Sequence, residues 1–451
     1  MLGFLLVGGC ATGTAVSASD VFLAIDEAAL RGVEPLPQGS PAPPVVLRNG
    51  RIWTADGQRY EPGWVSFSEG RIDGVGEGEP PDKPGSHVID VEQRVVTPGL
   101  IDTHSHIGVY PRPSAHAHRD GNEMTNPVTP GVWAEHSTWP QDPGFQLAIA
   151  GGVTTLQVLP GSGNLMGGRG VTLHNVPQRG ARAMRFPGAA ETVKMACGEN
   201  PKRVYGERNQ APSTRMGNLR AQREAFAKAQ HYSRQIAVPE ASRPPRSVDM
   251  ETLAGVLDGR YLLHVHCYRA DDMLSFLQLA DEFGFRVRSF HHALEAYKIA
   301  DVLAASQASV STWADWWGFK MEAYDGVLEN AAMVAAAGGR AIIHSDSSVG
   351  IQRLNQEAAK ALYTGQRAGL NVSEDDALTW ITTNPAWALG IQDDVGSLSV
   401  GKRADVAVWD GSPFSVYSSV RWVFVDGGLR FDRERRSTPW SDFLLGREVQ
   451  P

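Results

Sequence analysis

Thr97-Pro98-Gly99-Leu100-Ile101-Asp102-Thr103-His104-Ser105-His106 is an apolar run ending in two histidines one residue apart. On a strand, side chains at i and i+2 point to the same side. His104 and His106 can therefore face one point at the end of a buried strand. Neutral imidazole is the commonest metal ligand among side chains. Two histidines packed in a core would give the same pattern, so the weight falls on what the rest of the chain sets beside them.

Outward from this stretch, strand-like and helix-like pieces alternate over residues 97–391. Strand candidates are Thr154–Leu159, Gly170–His174, Thr192–Ala196, Tyr261–Cys267, Val287–Phe290, Ser309–Thr312 and Ala341–His344. Helix candidates include Met216–His231, Asp271–Phe283, Ala296–Ala305, Glu329–Ala337 and Ser373–Thr383. Repeated βα units of this kind predict an α/β chain folded as a (β/α)8 TIM-like barrel. Short alternating runs flank it at 45–96 and 392–435 and read as short antiparallel strands, so small β segments bracket the long middle. Between the strand candidates, 161–164 and 166–170 read as glycine-rich loops, and 116–139 as a long first βα loop covering the site.

Barrel active sites sit where strands end and βα loops begin. Leu262-Leu263-His264-Val265-His266, Phe290-His291-His292 and Ile342-Ile343-His344-Ser345-Asp346 all end apolar strands, and Lys194 lies inside one. Burying so many polar groups without partners is costly. A shared metal centre removes that cost.

The 451 residues carry a formal net charge of -8 and are 42% hydrophobic, which argues against a general nucleic-acid binder. None of the three cysteines forms a CxxC pair, so neither a disulfide framework nor a thiolate zinc site is expected. Cys10 follows Leu5-Leu6-Val7-Gly8-Gly9, which resembles the lipobox of a bacterial lipoprotein signal peptide, though without a basic n-region. This predicts a signal region over 1–20, a Ser-, Ala- and Pro-rich tether over 21–44 with a short helix near Val21–Leu30, and a tail over 436–451. The expected location is the cell envelope, with the membrane met only through a lipid on Cys10. Without that signal the reading is cytoplasmic.

The chain resembles the amidohydrolase superfamily across roughly 45–435. The resemblance rests on the 98–106 stretch, Gly151-Gly152-Val153-Thr154-Thr155, Asn384-Pro385-Ala386-Trp387-Ala388-Leu389-Gly390 and Gly396-Ser397-Leu398-Ser399-Val400-Gly401-Lys402-Arg403-Ala404-Asp405. It implies a hydrolase acting on amide-type carbon–nitrogen bonds other than ordinary peptide bonds, working on a small molecule; a homo-oligomer is possible, and the sequence does not fix the oligomeric state. It implies a barrel with a small composite β-sandwich made from both chain ends, one or two divalent metals, usually zinc and here expected as two, and attack by a metal-bound hydroxide with Asp346 as general base and then acid. By resemblance the ligands are His104, His106, Lys194 as N6-carboxylysine, His264, His292 and Asp346. His266 has the parity to compete with His264, Glu199 could bridge in place of Lys194, and His291 stands beside His292. His266, Tyr205 and Tyr268 are candidates to hold the oxyanion, and Arg203 and Arg215 to bind a substrate carboxylate. The alternative is a cyclic-amide hydrolase or deaminase resembling imidazolonepropionase. Deaminases of the superfamily place a glutamate three residues after the fifth-strand histidine, and position 267 is a cysteine. A second alternative is a non-catalytic envelope lipoprotein that uses the barrel for binding.

Overall fold

The computed structural model describes residues 44–237 and 244–435. Cys10, the proposed signal and tether up to residue 43, the Val21–Leu30 helix and the 436–451 tail lie outside the described residues.

Both ends of the described chain contribute to one sheet. β1 (Val45–Trp53), β2 (Arg59–Ser68), β3 (Arg71–Glu77), β4 (His87–Asp90) and β5 (Val95–Pro98) precede the barrel. β14 (Val406–Trp409), β15 (Val420–Val425) and β16 (Gly428–Asp432) follow it. The order is β16-β15-β14-β5-β1-β2-β3, with β4 also on β1. The two ends join where β14 runs antiparallel to β5, Val406 opposite Pro98. The sheet curls over its own core of Leu47, Val65, Val406 and their neighbours. Phe67 on β2 thus meets Phe424 on β15 with ring centroids 5.3 Å apart, and the layer is a composite β-sandwich.

Between these ends, β6 (Leu100–Ser105), β7 (Val153–Val158), β8 (Met166–His174), β9 (Thr192–Ala196), β10 (Leu262–Cys267), β11 (Val287–His292), β12 (Ser309–Thr312) and β13 (Ala341–Ile343) pair in chain order. Helices such as Arg215–Ile236, Ala270–Phe283 and Asn330–Ala336 lie between them in the chain, and Leu354–Arg367 follows β13. Nearly every strand residue is buried, as expected of a sheet covered by helices. Across the seam, the Asp346 backbone N–H donates to the His104 carbonyl at 2.9 Å. The result is a TIM-like barrel.

Three details differ from the sequence reading. First, Met166–Gly170, expected as a loop, is the first half of β8, which runs antiparallel to both β7 and β9. Only a short connection separates β7 from β8, and a parallel neighbour needs a crossover of a dozen or more residues. Gly168 lets the 129–133 loop close on this strand: its φ is +113°, and a Cβ there would lie 2.4 Å from the Val132 carbonyl oxygen. Second, the expected Ser373–Thr383 helix is shorter. A capping box between Ser373 and Asp376 starts Glu374–Thr379, and a second helix, Thr383–Ala388, takes Pro385 in its first turn. Third, Cys197 and Cys267 are joined as a disulfide, with Cα atoms 5.2 Å apart. The cysteines lie far apart in sequence, and only the β9–β10 pairing brings them together.

His174, at the end of β8, staples barrel to sandwich. Its Nε2 lies 2.9 Å from Asp405 and its Nδ1 3.4 Å from Asp426. Burial alone would lower the His174 pKa, but Asp405, aided by Asp426, outweighs it and raises it. A histidine with a raised folded pKa stabilises fully below its unfolded value near 6.5, and that contribution is lost as pH rises through the folded value. We therefore expect His174→Gln to destabilise the protein by about 3 kcal/mol below pH 6. The gap to wild type should narrow as pH rises above neutrality. Urea unfolding at a series of pH values checks this, and a gap that widens with pH would contradict it.

Candidate metal centre

The local sequence of β6 sets the first two donors. His104 is buried and His106 stands at the rim, with their Nε2 atoms 3.3 Å apart. His106 Nδ1 lies 2.8 Å from the Leu159 carbonyl, which can only accept. The proton therefore sits on Nδ1, and the Nε2 lone pair faces inward. Asp346 Oδ1 lies 3.3 Å from His106 Nε2 and 3.6 Å from His104 Nε2.

Asp102, which the sequence reading left without a role, braces this arrangement from below. Its carboxylate accepts from the His104 backbone N–H at 3.0 Å, from the Ser345 backbone N–H at 3.2 Å and from the Ser345 hydroxyl. One buried carboxylate thus fixes the strand end carrying His104 against the turn carrying Asp346. Burial raises its pKa to about 6, against the pull of those hydrogen bonds.

Behind His104 runs a line of imidazoles. His104 Nδ1 lies 2.8 Å from His291 Nδ1, and His291 Nε2 lies 2.8 Å from His264 Nδ1. Each link needs one N–H and one lone pair. If His264 carries its proton on Nε2, towards the Ala388 backbone, then His291 donates to His264 and His104 donates to His291. This tautomer assignment leaves the His104 Nε2 lone pair free, towards His106 and Asp346.

On the fifth and sixth strands further ring nitrogens stand without partners. Both ring nitrogens of His266, Nε2 of His264 and Nδ1 of His292 are buried without a hydrogen-bond partner among the described residues. The His266 and His292 rings are 4.5 Å apart. His344 is equally buried and unpartnered, with its ring 5.0 Å from His104 and from His292. His344 was absent from the ligand set expected from sequence. Its signal was the HxD spacing with Asp346, the same i, i+2 pattern as His104 and His106.

Two overlapping donor groups result. Atoms of His104, His292 and His344 lie within 4.8 Å of one another, and so do those of His104, His106 and Asp346. Burial above all, with neighbouring positive charge adding to it, holds all these imidazoles neutral. His106 and His264 are pushed down to about 3, and His104, His266, His291, His292 and His344 also lie well below their ordinary value. Neutral, desolvated nitrogens, several of them without partners, clustered beside a carboxylate are a donor set that fits a divalent cation.

Lys194 is buried in β9, with Nζ 3.3 Å from the Pro160 carbonyl. Burial lowers its pKa against the pull of Asp346. Burial likewise raises Asp346 against the pull of Lys194. Glu199, the other bridging candidate, is held at 3.0 Å by the Lys320 ammonium.

The remaining candidates lie elsewhere. Tyr205 is buried, and its hydroxyl donates to the Asn126 carbonyl at 2.8 Å. Arg215 is engaged by Asp272 at 2.9 Å and Glu322 at 2.6 Å. Arg203 is exposed on the Glu199–Gly206 helix. Tyr268 stacks on His292 at 5.2 Å and is the aromatic neighbour of the cluster. The 116–139 segment contributes Arg119, Asn122 and His136 to a cleft of about 480 Å³ that reaches Pro160.

Residues 206–430 match the family model described as "Amidohydrolase family". The solved structure of an amidohydrolase from Thermotoga maritima superposes with a TM-score of 0.80 at 35% identity, covering 86% of this chain and all of that one. The chain belongs to the amidohydrolase family. Among sequence relatives, the amidohydrolase tasK of Hapsidospora irregularis is 31% identical over 430 residues, 86% of this chain but 43% of that protein. The chain therefore spans less than half of that relative's length. An imidazolonepropionase from Mesorhizobium japonicum is 26% identical over 81% of this chain and 91% of its own. A prolidase structure shares the fold at 18% identity and a TM-score of 0.54.

The imidazole line makes a prediction. Replacing His291 by Phe removes both of its hydrogen bonds and frees the His104 ring to turn. Outer-shell partners of this kind change metal affinity by about 10- to 100-fold. His291→Phe should weaken binding of a divalent cation by that factor, read by competition with a chromogenic chelator. Unchanged affinity would mean that the line does not orient His104.

Proposed function

We propose that this amidohydrolase is a metal-dependent hydrolase of carbon–nitrogen bonds in small amides, of the peptide-like or N-acyl kind. The observation that carries the reading is the pair of overlapping donor groups at the strand ends, His104 with His106 and Asp346 and His104 with His292 and His344, among buried imidazoles several of whose nitrogens have no partner. His104, His106, Lys194, His266, His292 and Asp346 would hold two divalent ions, zinc by family resemblance, with His344 beside them. His266 is preferred to His264 because both of its nitrogens are unpartnered, whereas His264 Nδ1 is taken up by His291. Bound divalent ions would polarise a carbonyl and lower the pKa of water towards neutrality.

The chain's own groups supply the rest. Asp346 faces the donor cluster, and burial makes its carboxylate readier to hold a proton. It takes the proton of the attacking water and returns it to the leaving nitrogen. Asp102 and the imidazole line keep His104 and Asp346 in fixed relation. Closely packed His292, Trp313 and Tyr268 exclude bulk water from one wall.

The test is metal analysis of the purified protein together with turnover of a panel of dipeptides, N-acyl amino acids and cyclic imides. We expect about two divalent ions per chain, hydrolysis within the panel, and loss of both metal and activity in His104→Ala. A chelator-stripped preparation that keeps full activity would end this reading.

A further inference from the structure

The βα loop after β12 reads Trp313-Ala314-Asp315-Trp316-Trp317-Gly318-Phe319-Lys320-Met321-Glu322-Ala323-Tyr324. Its outer half is unusual for a protein surface. Trp316 is 40% exposed, Trp317 56%, Phe319 55% and Tyr324 65%. Single exposed apolar residues are ordinary, but a contiguous aromatic patch marks a binding surface.

The patch does not stop at the surface. Trp313 stacks on Trp316 with centroids 5.1 Å apart and planes 12° apart. Trp313 in turn stacks on His292 at 4.4 Å and 23°. On the other side, Phe319 meets Tyr268 edge to face at 6.3 Å, and Tyr268 stacks on His292. Trp313, Tyr268, Leu294 and Ala323 form a small apolar cluster separate from the barrel core. An aromatic wall thus runs from a histidine of the donor cluster out to solvent.

The wall is held in place. The Trp313 indole N–H donates to the Ser345 carbonyl at 3.1 Å, one residue from Asp346. The loop closes on itself through the Gly318 backbone N–H to the Ala323 carbonyl at 2.9 Å. Lys320 lies 3.9 Å over the Tyr268 ring and is tied to Glu199. A surface for a second copy of the chain would have no need to continue inward to His292. A subsite for part of the substrate would.

We propose that this wall is a substrate subsite, which takes an aromatic ring attached within a few atoms of the scissile carbon–nitrogen bond. The substrate class is then amides with an aryl group near the carbonyl, rather than small aliphatic amides. The inference rests on the hydrolase reading above and narrows it.

The test uses the metal-loaded protein and two substrates, N-acetylglycine and N-(2-naphthoyl)glycine, with a parallel binding measurement using 2-naphthoic acid. Each well-placed aromatic pair is worth about 0.5–1.5 kcal/mol, or roughly a 2- to 10-fold change. The naphthoyl substrate should exceed the acetyl one in kcat/KM by about 10-fold or more. That ratio should fall several-fold in Trp316→Ser and in Phe319→Ser. Both residues are exposed, so folding is not at issue. 2-Naphthoic acid should quench the tryptophan fluorescence of wild type at concentrations where acetic acid does not, with weaker binding in Phe319→Ser. A ratio near one that neither variant changes would overturn the subsite. So would a dimer, seen by sedimentation, that both variants dissociate while the ratio stays fixed. If neither substrate is hydrolysed, the hydrolase reading fails. The quenching still decides the wall: saturable binding lost in Phe319→Ser keeps it as an aryl site, and absence of binding removes it.

Discussion

Asp346→Asn should lower kcat by about 10²- to 10⁴-fold, the range lost with a positioned general base. An amide keeps the shape of the carboxylate and the backbone hydrogen bond across the β13–β6 seam, so the fold should be preserved. It cannot take a proton from water. The effect should fall on kcat more than on KM, because the side chain acts on the reacting proton rather than on the body of the substrate. Metal content should fall less than in His104→Ala, since the histidine donors remain. A variant retaining more than a tenth of wild-type kcat would remove Asp346 from the proton transfers.

Lys194→Ala should be comparably severe. The lysine lies inside a buried apolar strand, where an ammonium is disfavoured by desolvation. Two divalent cations beside it would disfavour the charged form further. The neutral amine can add to carbon dioxide: its lone pair forms the N–C bond, one N–H proton leaves to solvent, and an anionic carbamate remains. That carbamate would offer two oxygens to divalent ions. We expect Lys194→Ala to lose most of its bound metal and about 10³-fold in kcat. Lys194→Glu should keep part of the metal, and short carboxylic acids should partly restore activity to the alanine variant. Carbon-13 bicarbonate should give wild type a carbamate resonance that Lys194→Ala lacks. Full metal loading in the alanine variant would shift the bridging role to another group, and Glu199 could serve only by giving up Lys320.

The fold was legible wherever periodicity and strand ends carried it. The run from Leu100 to His106 announced a buried strand with a polar tip, and β9 and β10 were readable from Thr192 and Tyr261 onward. The antiparallel β8 was not legible. Its glycines have the composition of a loop, and they are tolerated because neighbouring chain packs where side chains would stand. The donor cluster was legible in kind but not in membership. His264 and His266 share parity, and only His291, brought across from the next strand, separates them by occupying one of the two His264 nitrogens. Asp102 and His344 sat in plain view beside recognised motifs, but their roles depend on the turn of Ser345 closing against β6. Arg215 and Tyr205 looked like ligand-binding side chains because sequence cannot show that Asp272, Glu322 and the Asn126 carbonyl were waiting for them.

The β5–β14 pairing has a consequence for biosynthesis. Synthesis runs from the N-terminus at about 5–20 residues per second. β5 therefore leaves the ribosome well before β14, its partner across Pro98 and Val406. Throughout that interval the nascent sheet carries an unfilled edge, the kind that templates unwanted pairing. The barrel must be threaded out between the two halves of the sandwich before the edge can close. Cells making this protein thus face a window of vulnerability whose length is set by the barrel, and overexpression that crowds ribosomes would be expected to lose chains there first.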